Sequence, residues 1–242
     1  MNGLDLFSGI GGISQALAPW VRTVAYCERE RYAQAVLLSR MERGEIDCAP
    51  IWDDVTTLRG DMLPRIDIIT GGFPCQDLSL AGNRAGLAGE RSGLFFQIVR
   101  LVRELRPRFI FMENVPGIFA GDAIGTVNGE LATLGYDCRW GCIPAYTVGA
   151  HIERVRWFSL ACSNSKRLQG GAFKGSRGSF GPRREKQSQG FFETEIQLEK
   201  TASSLAGKTN GIPCIDHRNH ALGNGVVPQQ VQEAFQRLAG LK

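Results

Sequence analysis

No stretch of this 242-residue sequence stays apolar for the roughly 20 residues that a bilayer-spanning helix needs. The N-terminus lacks a basic region, apolar stretch and cleavage site, and opens directly into Leu4-Asp5-Leu6-Phe7. Neither a membrane role nor a secretory leader is expected, and a cytoplasmic protein is. Cysteine pairing is missing as well: the count is seven, an odd number, and none stand in a CxxC pair. Cys138 and Cys142 are separated by three residues, with no partner His or Cys pair at zinc-ligand spacing. A disulfide framework and a metal site are therefore not expected. Strong charge is absent too, since a formal net charge of +4 does not by itself point to nucleic acid.

What is present is the composition of a soluble globular protein, 43% hydrophobic and 21% charged, long enough for one substantial core and a small appended lobe. Up to about Cys162, short β-rich apolar runs alternate with helix-like stretches, the habit of a parallel sheet covered by helices. Expected strands are Gly3 to Phe7, Thr23 to Cys27, Ile66 to Thr70, Arg108 to Met112 and Arg156 to Cys162. Helical periodicity covers Ile13 to Ala18, Tyr32 to Arg40, Leu94 to Leu105 and, after a Gly-Asn-Gly turn, Val226 to Leu238. The fold class is α/β, doubly wound. Between Ser163 and His217 the texture changes to Gly, Ser and Arg, with nine Lys or Arg against five acids, which holds the chain's whole positive excess. Such a segment suits a phosphate backbone, and a solvated loop would look the same.

Asp5-Leu6-Phe7-Ser8-Gly9-Ile10-Gly11-Gly12 follows a strand and opens a helix, so its glycines can bring backbone N–H groups close to a ligand at the carboxyl edge of a sheet. The third glycine of a dinucleotide fingerprint is missing, because Ser14 stands in its place. The next strand ends at Glu28, where a carboxylate can accept from both hydroxyls of a ribose. A further strand region ends in Trp52-Asp53-Asp54-Val55, with an Asp for an exocyclic amine and a Val for an adenine ring. Those residues outline an adenosine pocket that suits NAD and S-adenosylmethionine alike.

Gly71-Gly72-Phe73-Pro74-Cys75-Gln76 distinguishes the two, since a strand delivers a cysteine into a glycine- and proline-shaped loop at the same edge, where backbone donors favour a thiolate. The other six cysteines read as small apolar core residues. Phe111-Met112-Glu113-Asn114-Val115-Pro116-Gly117 then ends an apolar strand in an acid, placed to be partly desolvated and held protonated near neutral pH. As an alternative, Glu113 caps the following helix, and Asn114 holds the loop by side-chain to backbone bonds.

With Leu222-Gly223-Asn224-Gly225-Val226-Val227-Pro228, these motifs occur in the order seen in DNA cytosine-5 methyltransferases, which the chain resembles up to about Cys162 and again from about Ala221. The resemblance implies a Rossmann-like, S-adenosylmethionine-dependent methyltransferase fold, with a catalytic unit of residues 1–162 and 218–242 interrupted by a short target-recognition lobe, 163–217. It implies that Phe7, Ser8, Gly9, Ile10, Gly11, Glu28, Asp54, Val55, Pro74, Leu94, Asn224 and Val226 hold the cofactor. It makes Cys75 the nucleophile that adds to cytosine C6, and Glu113 the group that neutralises charge at N3. Ala150-His151-Ile152-Glu153-Arg154-Val155-Arg156-Trp157-Phe158 resembles the family's Arg-x-Arg segment ahead of a strand. Arg154 and Arg156 are assigned to that pair because Trp157 to Ala161 continues as an apolar strand; a one-residue shift would put Glu153 and Val155 there.

The substrate so implied is a cytosine flipped out of double-stranded DNA, with residues Leu78 to Ser92 closing over it. A monomer is expected, with a restriction endonuclease as a possible companion. Rival readings are a tRNA cytosine-5 methyltransferase on the same scaffold, a non-catalytic DNA-binding remnant, and a nicotinamide oxidoreductase resting only on the glycine loop and Glu28.

Overall fold

A computed structural model describes residues 1–73, 93–119, 123–150, 152, 154–163 and 225–241. The chain forms β1 (Asn2–Leu6), α1 (Gly12–Leu17), β2 (Arg22–Cys27), α2 (Arg31–Glu42), β3 (Ile51–Trp52), β4 (Ile68–Gly71), α3 (Leu94–Leu105), β5 (Phe109–Asn114), α4 (Ala123–Thr133), β6 (Tyr136–Pro144), β7 (Val155–Ser163) and α5 (Pro228–Ala239). The strands make one seven-stranded sheet in the order β3-β2-β1-β4-β5-β7-β6. The α/β class expected from the sequence is the one observed.

Both faces of the sheet are covered, and the period-2 alternation of each strand divides its residues between two cores. On one side Leu4, Leu6, Ile69, Ile110, Met112, Trp157 and Ala161 meet α3 and α4 through Phe95, Val99, Val102, Val127 and Leu131. On the other, Ile68, Phe109, Phe111, Phe158 and Leu160 meet α1 and α5 through Leu17, Val231, Phe235 and Leu238. The C-terminal helix thus returns to the start of the chain: Gln232 Nε2 donates to Ala16 O at 3.0 Å, and the Trp20 and Phe235 rings lie 5.3 Å apart.

The sheet departs from the all-parallel expectation in one place. Strands β1 to β5 run parallel, but β7 is antiparallel to both β5 and β6. A strand buried on both faces has the same apolar run in either direction, so the sequence carries no sign of this. The consequence for the site is large. Strands β1 to β5 end at one edge of the sheet and β7 begins there, with Asn114 paired to Trp157 and Glu113 to Phe158.

The cysteines are less uniformly internal than expected. Cys27 is buried, Cys138, Cys142 and Cys162 are half-buried, and Cys48 is exposed. Cys48 follows Glu45, Ile46 and Asp47 in the connection from α2 to β3. Among the described residues, no helix is long and apolar enough to cross a membrane.

Candidate active site

The order of the sheet reverses between β1 and β4, and in open α/β sheets ligands bind at the carboxyl edge beside such a switch point. At β1, the turn from Phe7 to Gly11 takes left-handed conformations at Phe7 (φ 53°), Gly9 (φ 53°) and Gly11 (φ 80°). The non-glycine Phe7 is held there by its neighbour: Ser8 Oγ donates to Asp5 O at 2.7 Å, and Ser8 N to Cys27 O at 3.1 Å. Gly9 N donates to Glu28 Oε2 at 2.7 Å, and Glu30 N to Glu28 Oε1 at 2.8 Å. The Glu28 carboxylate is therefore fixed at the tip of β2 while each oxygen retains a second lone pair.

Below this turn lies Asp5, 1% exposed, which accepts from Ser14 Oγ at 2.5 Å and Thr70 Oγ1 at 2.6 Å. Burial outweighs these hydrogen bonds and raises its pKa to about 6. Arg40 reaches the turn from α2, donating from Nη1 to Ile10 O at 2.6 Å while its Nε meets Glu45 Oε2 at 3.0 Å.

Four of the remaining expected cofactor residues, Asp54, Val55, Leu94 and Val226, are among the described residues. Asp54 accepts from both N and Oγ1 of Thr56 through Oδ1, and Val55 is buried with its carbonyl accepting from Arg100 Nη2 at 2.8 Å. Leu94 opens α3 and packs against the core. Val226 lies against the glycine turn, where a Cβ on Gly12 would come 2.7 Å from Val226 Cγ2. Pro74, Cys75, residues 78–92, most of 163–217, and Asn224 lie outside the described residues. A surface cavity of about 480 Å³ beside β3, lined by residues including Gln34, Leu38 and Trp52, touches none of these groups except Asp53, the neighbour of Asp54.

At β5 and β7 the geometry is tightest. Arg156 Nε lies 3.0 Å from Glu113 Oε1, with side-chain exposures of 8% and 12%. Burial raises the Glu113 pKa, against the opposing positive charges of Arg156 and Arg154. Gly72, the first residue after β4, permits this: a Cβ there would sit 2.7 Å from Glu113 Oε2. Gly71 is equally constrained, since its Cβ would stand 2.2 Å from Leu6 O. Asn114 Nδ2 donates to Phe73 O at 3.3 Å and its Oδ1 accepts from Val115 N at 2.7 Å, so it ties the start of the Phe73-Pro74-Cys75 loop to β5. Arg154 sits one residue before β7; its carbonyl accepts from Ala145 N at 2.7 Å and Gln230 Nε2 at 2.9 Å.

Two polar residues that the sequence reading did not single out belong to this edge. Arg40 shares the buried face of α2 with Ala33 and Leu37, so a cation on an apolar stripe was its signal. Gln230, wholly buried in the first turn of α5, had no comparable signal.

A family model described as C-5 cytosine-specific DNA methylase matches residues 1–238. The chain is similar to the type II methyltransferase M.CviJI of Paramecium bursaria Chlorella virus IL3A, at 31% identity over 96% of this chain and 58% of that protein. It is 32% identical to the type II methyltransferase M.HhaI of Haemophilus parahaemolyticus, over 69% of this chain and 50% of the other. Among solved structures, the S. pombe Dnmt2 methyltransferase superposes with a TM-score of 0.56 at 25% identity, covering 69% of this chain and 52% of that one. The chain thus spans little more than half the length of these relatives.

Proposed function

The chain belongs to the C-5 cytosine-specific DNA methylases, and from that premise we propose that it transfers a methyl group from S-adenosylmethionine to C5 of a cytosine flipped out of duplex DNA. The observation that carries this reading is the buried Glu113–Arg156 pair, held against Gly72 where the chain turns into Pro74-Cys75. A carboxyl group whose pKa is raised by burial is suited to donate toward a ring nitrogen, and an adjacent guanidinium fixes its direction.

The turn beside β1 fits the cofactor. Among the described residues, a Cβ on Gly9 would meet nothing within 4 Å, and the Glu28 carboxylate stands beside it. Phe7 to Gly11, Leu94, Val226, Pro74 and Asn224 would surround the group, with Glu28 on the ribose and Asp54 and Val55 at the adenine. S-adenosylmethionine supplies an electrophilic methyl group on sulfonium sulfur, which C5 of cytosine is too weak a nucleophile to take unaided.

The chain's residues overcome that weakness. The Cys75 thiolate adds to C6, and the electron pair displaced from the ring is received at N3, where Glu113 donates its proton or hydrogen bond. Arg156 orients the carboxyl group, and Arg154 supports it. C5 then carries the electron density that forms the new carbon–carbon bond. Loss of the C5 proton to water and breaking of the C6–S bond return the thiolate, N3 gives its proton back to Glu113, and aromaticity is restored.

Residues 163–217 serve as the target-recognition region of a catalytic unit formed by 1–162 and 218–242, with their basic side chains on phosphates. A base inside a duplex is beyond reach of Cys75, so the target rotates out and residues 78–92 close over it. The enzyme acts as a monomer in the cytoplasm. The test is expression of the chain and of its Cys75→Ser variant in a host lacking DNA methylation, with genome-wide mapping of 5-methylcytosine. Marks at a recurring sequence with the native chain alone support the proposal. Their absence with both refutes it, and methylation of tRNA in place of DNA transfers it to the other substrate.

A further inference from the structure

Gln230 joins the C-terminal helix to the arginine segment. Its Nε2 donates to Ile143 O at 2.5 Å and to Arg154 O at 2.9 Å. Both partners are carbonyls, which only accept, so the nitrogen of the amide must face them. Ile143 is the register partner of Arg156, and Arg154 immediately precedes β7. One side chain therefore joins β6 to the residue that leads into β7, close to the point where Arg156 leaves for Glu113.

Packing does not call for a polar residue at this position. The same face of α5 is otherwise apolar, with Val231, Ala234, Phe235 and Leu238 buried. Gln230 is 0% exposed, and among the described residues its Oε1 has no hydrogen-bond partner. Burying that oxygen is costly, and the return is a fixed backbone at Arg154. Two residues further on, the Arg156 guanidinium must meet a carboxylate within 3.0 Å in a nearly dry site, where a displacement of about 1 Å is worth about a hundredfold in rate.

We propose that Gln230 is a positioning residue, which sets the Arg154–Arg156 backbone so that Arg156 can hold Glu113, and so ties this pair to the seating of α5, which starts two residues after Val226, the residue that lies on the glycine turn. This inference rests on the proposed methyl transfer. The Glu113 carboxyl faces Arg156 and Arg154, so loosening their segment removes positive charge from it and raises the pH at which it ionises.

The test compares full-length wild type with Gln230→Met, Gln230→Glu and Gln232→Met, measuring kcat, KM for S-adenosylmethionine and the pH profile of kcat on duplex DNA. Gln232 binds the same helix to Ala16 and not to the arginine segment, so it controls for loosening of the helix alone. Gln230→Met is expected to lower kcat about tenfold or more, leave KM within about twofold, and move the alkaline limb of the profile upward. Gln232→Met is expected to retain both kcat and the limb. A Gln230→Met enzyme with wild-type kcat and pH profile overturns the proposal, as does a Gln232→Met enzyme that reproduces the loss and the shift. If Gln230→Met does not fold, Gln230→Glu replaces it: the same shape with one donor when protonated, expected to lose activity more steeply than wild type as pH rises. A wild-type profile in that variant overturns the proposal too. A wild-type chain that methylates nothing instead refutes the functional reading, and this inference falls with it.

Discussion

Arg156 reaches Glu113 because the two strands that carry them run in opposite directions. Glu113 lies near the end of β5 and Arg156 near the start of β7, and the antiparallel register brings Phe158 opposite Glu113. Had β7 run parallel to β5, residues after Ser163 would stand at that edge. The pair is therefore a product of topology, and burial of both members gives it chemical force.

Removing Arg156 should damage activity and stability in different pH ranges. In Arg156→Leu, turnover is expected to fall by about a hundredfold or more, as the charged contact that orients the Glu113 carboxyl group is lost. Deleting one member of a buried ion pair costs about 3–5 kcal/mol when the other stays charged. Glu113 can escape part of that cost by taking up a proton. Its folded pKa is raised by burial, and without Arg156 it rises further, so the deficit is smallest in acid and grows as pH rises through that pKa. Urea unfolding of variant and wild type at acid and alkaline pH measures this; a pH-independent deficit would contradict the charge argument.

Gly72 is expected to tolerate no side chain. An alanine Cβ would stand 2.7 Å from Glu113 Oε2 and 3.3 Å from Glu113 O, so either the carboxyl group or the loop entering Cys75 must move. Gly72→Ala should cost about 1–3 kcal/mol in stability, as overpacking does, yet lower kcat about tenfold or more because the displaced group is the proposed proton donor. Chemical unfolding and single-turnover kinetics on the same variant separate the two effects. Unchanged turnover would show that the Glu113 position is not critical.

Much of this arrangement was legible in the sequence because strand ends carry both structure and chemistry. β1, β2, α3 and α5 emerge from apolar periodicity, and Glu28, Glu113 and Arg156 stand out as charged residues at the ends of apolar runs. β6 and α4 did not. Tyr136–Pro144 mixes half-buried and exposed residues around Arg139, Trp140 and Gly141, and among the described strands it has only β7 as neighbour. Ala123–Thr133 contains Gly125, Asn128 and Gly129, poor helix formers that only packing of Val127 and Leu131 overrides. The roles of Arg40 and Gln230 depend on carbonyls of Ile10, Ile143 and Arg154, far away in sequence, and no local pattern announces a side chain bound to a distant backbone.

Asp5 supplies a stability signature separate from the chemistry. Its folded pKa of about 6 stands above the ordinary 3.8 because the carboxyl is fully buried. A raised pKa means the native state holds its proton longer than the unfolded state does, so this group's stabilising contribution is complete below pH 3.8 and is lost as pH rises through about 6. The size is about 3 kcal/mol at 1.36 kcal/mol per unit. Asn keeps the shape and one acceptor for Ser14 or Thr70, so Asp5→Asn should remove this dependence. The difference between variant and wild type in urea unfolding should favour the variant more at pH near 7 than near 4. An equal difference at both pH values would mean that Asp5 is not protonated in the native state.

The last prediction separates binding from chemistry at two strand ends. Glu28 is held by Gly9 and Glu30 N–H groups at the tip of β2 and touches none of the described residues at the Glu113–Arg156 pair. Losing its charged hydrogen bonds to a ribose should weaken cofactor binding by about 1.5–3 kcal/mol, or about ten- to 150-fold in Kd. Cys75→Ser should behave in the opposite sense, with cofactor affinity retained and methylation abolished, since a serine hydroxyl is far less nucleophilic toward C6 at neutral pH. Calorimetric titration with S-adenosylmethionine and methyl incorporation into duplex DNA, applied to both variants, give the comparison. Wild-type affinity in Glu28→Ala would remove the ribose assignment while leaving the nucleophile intact; residual methylation in Cys75→Ser would remove the nucleophile while leaving the pocket.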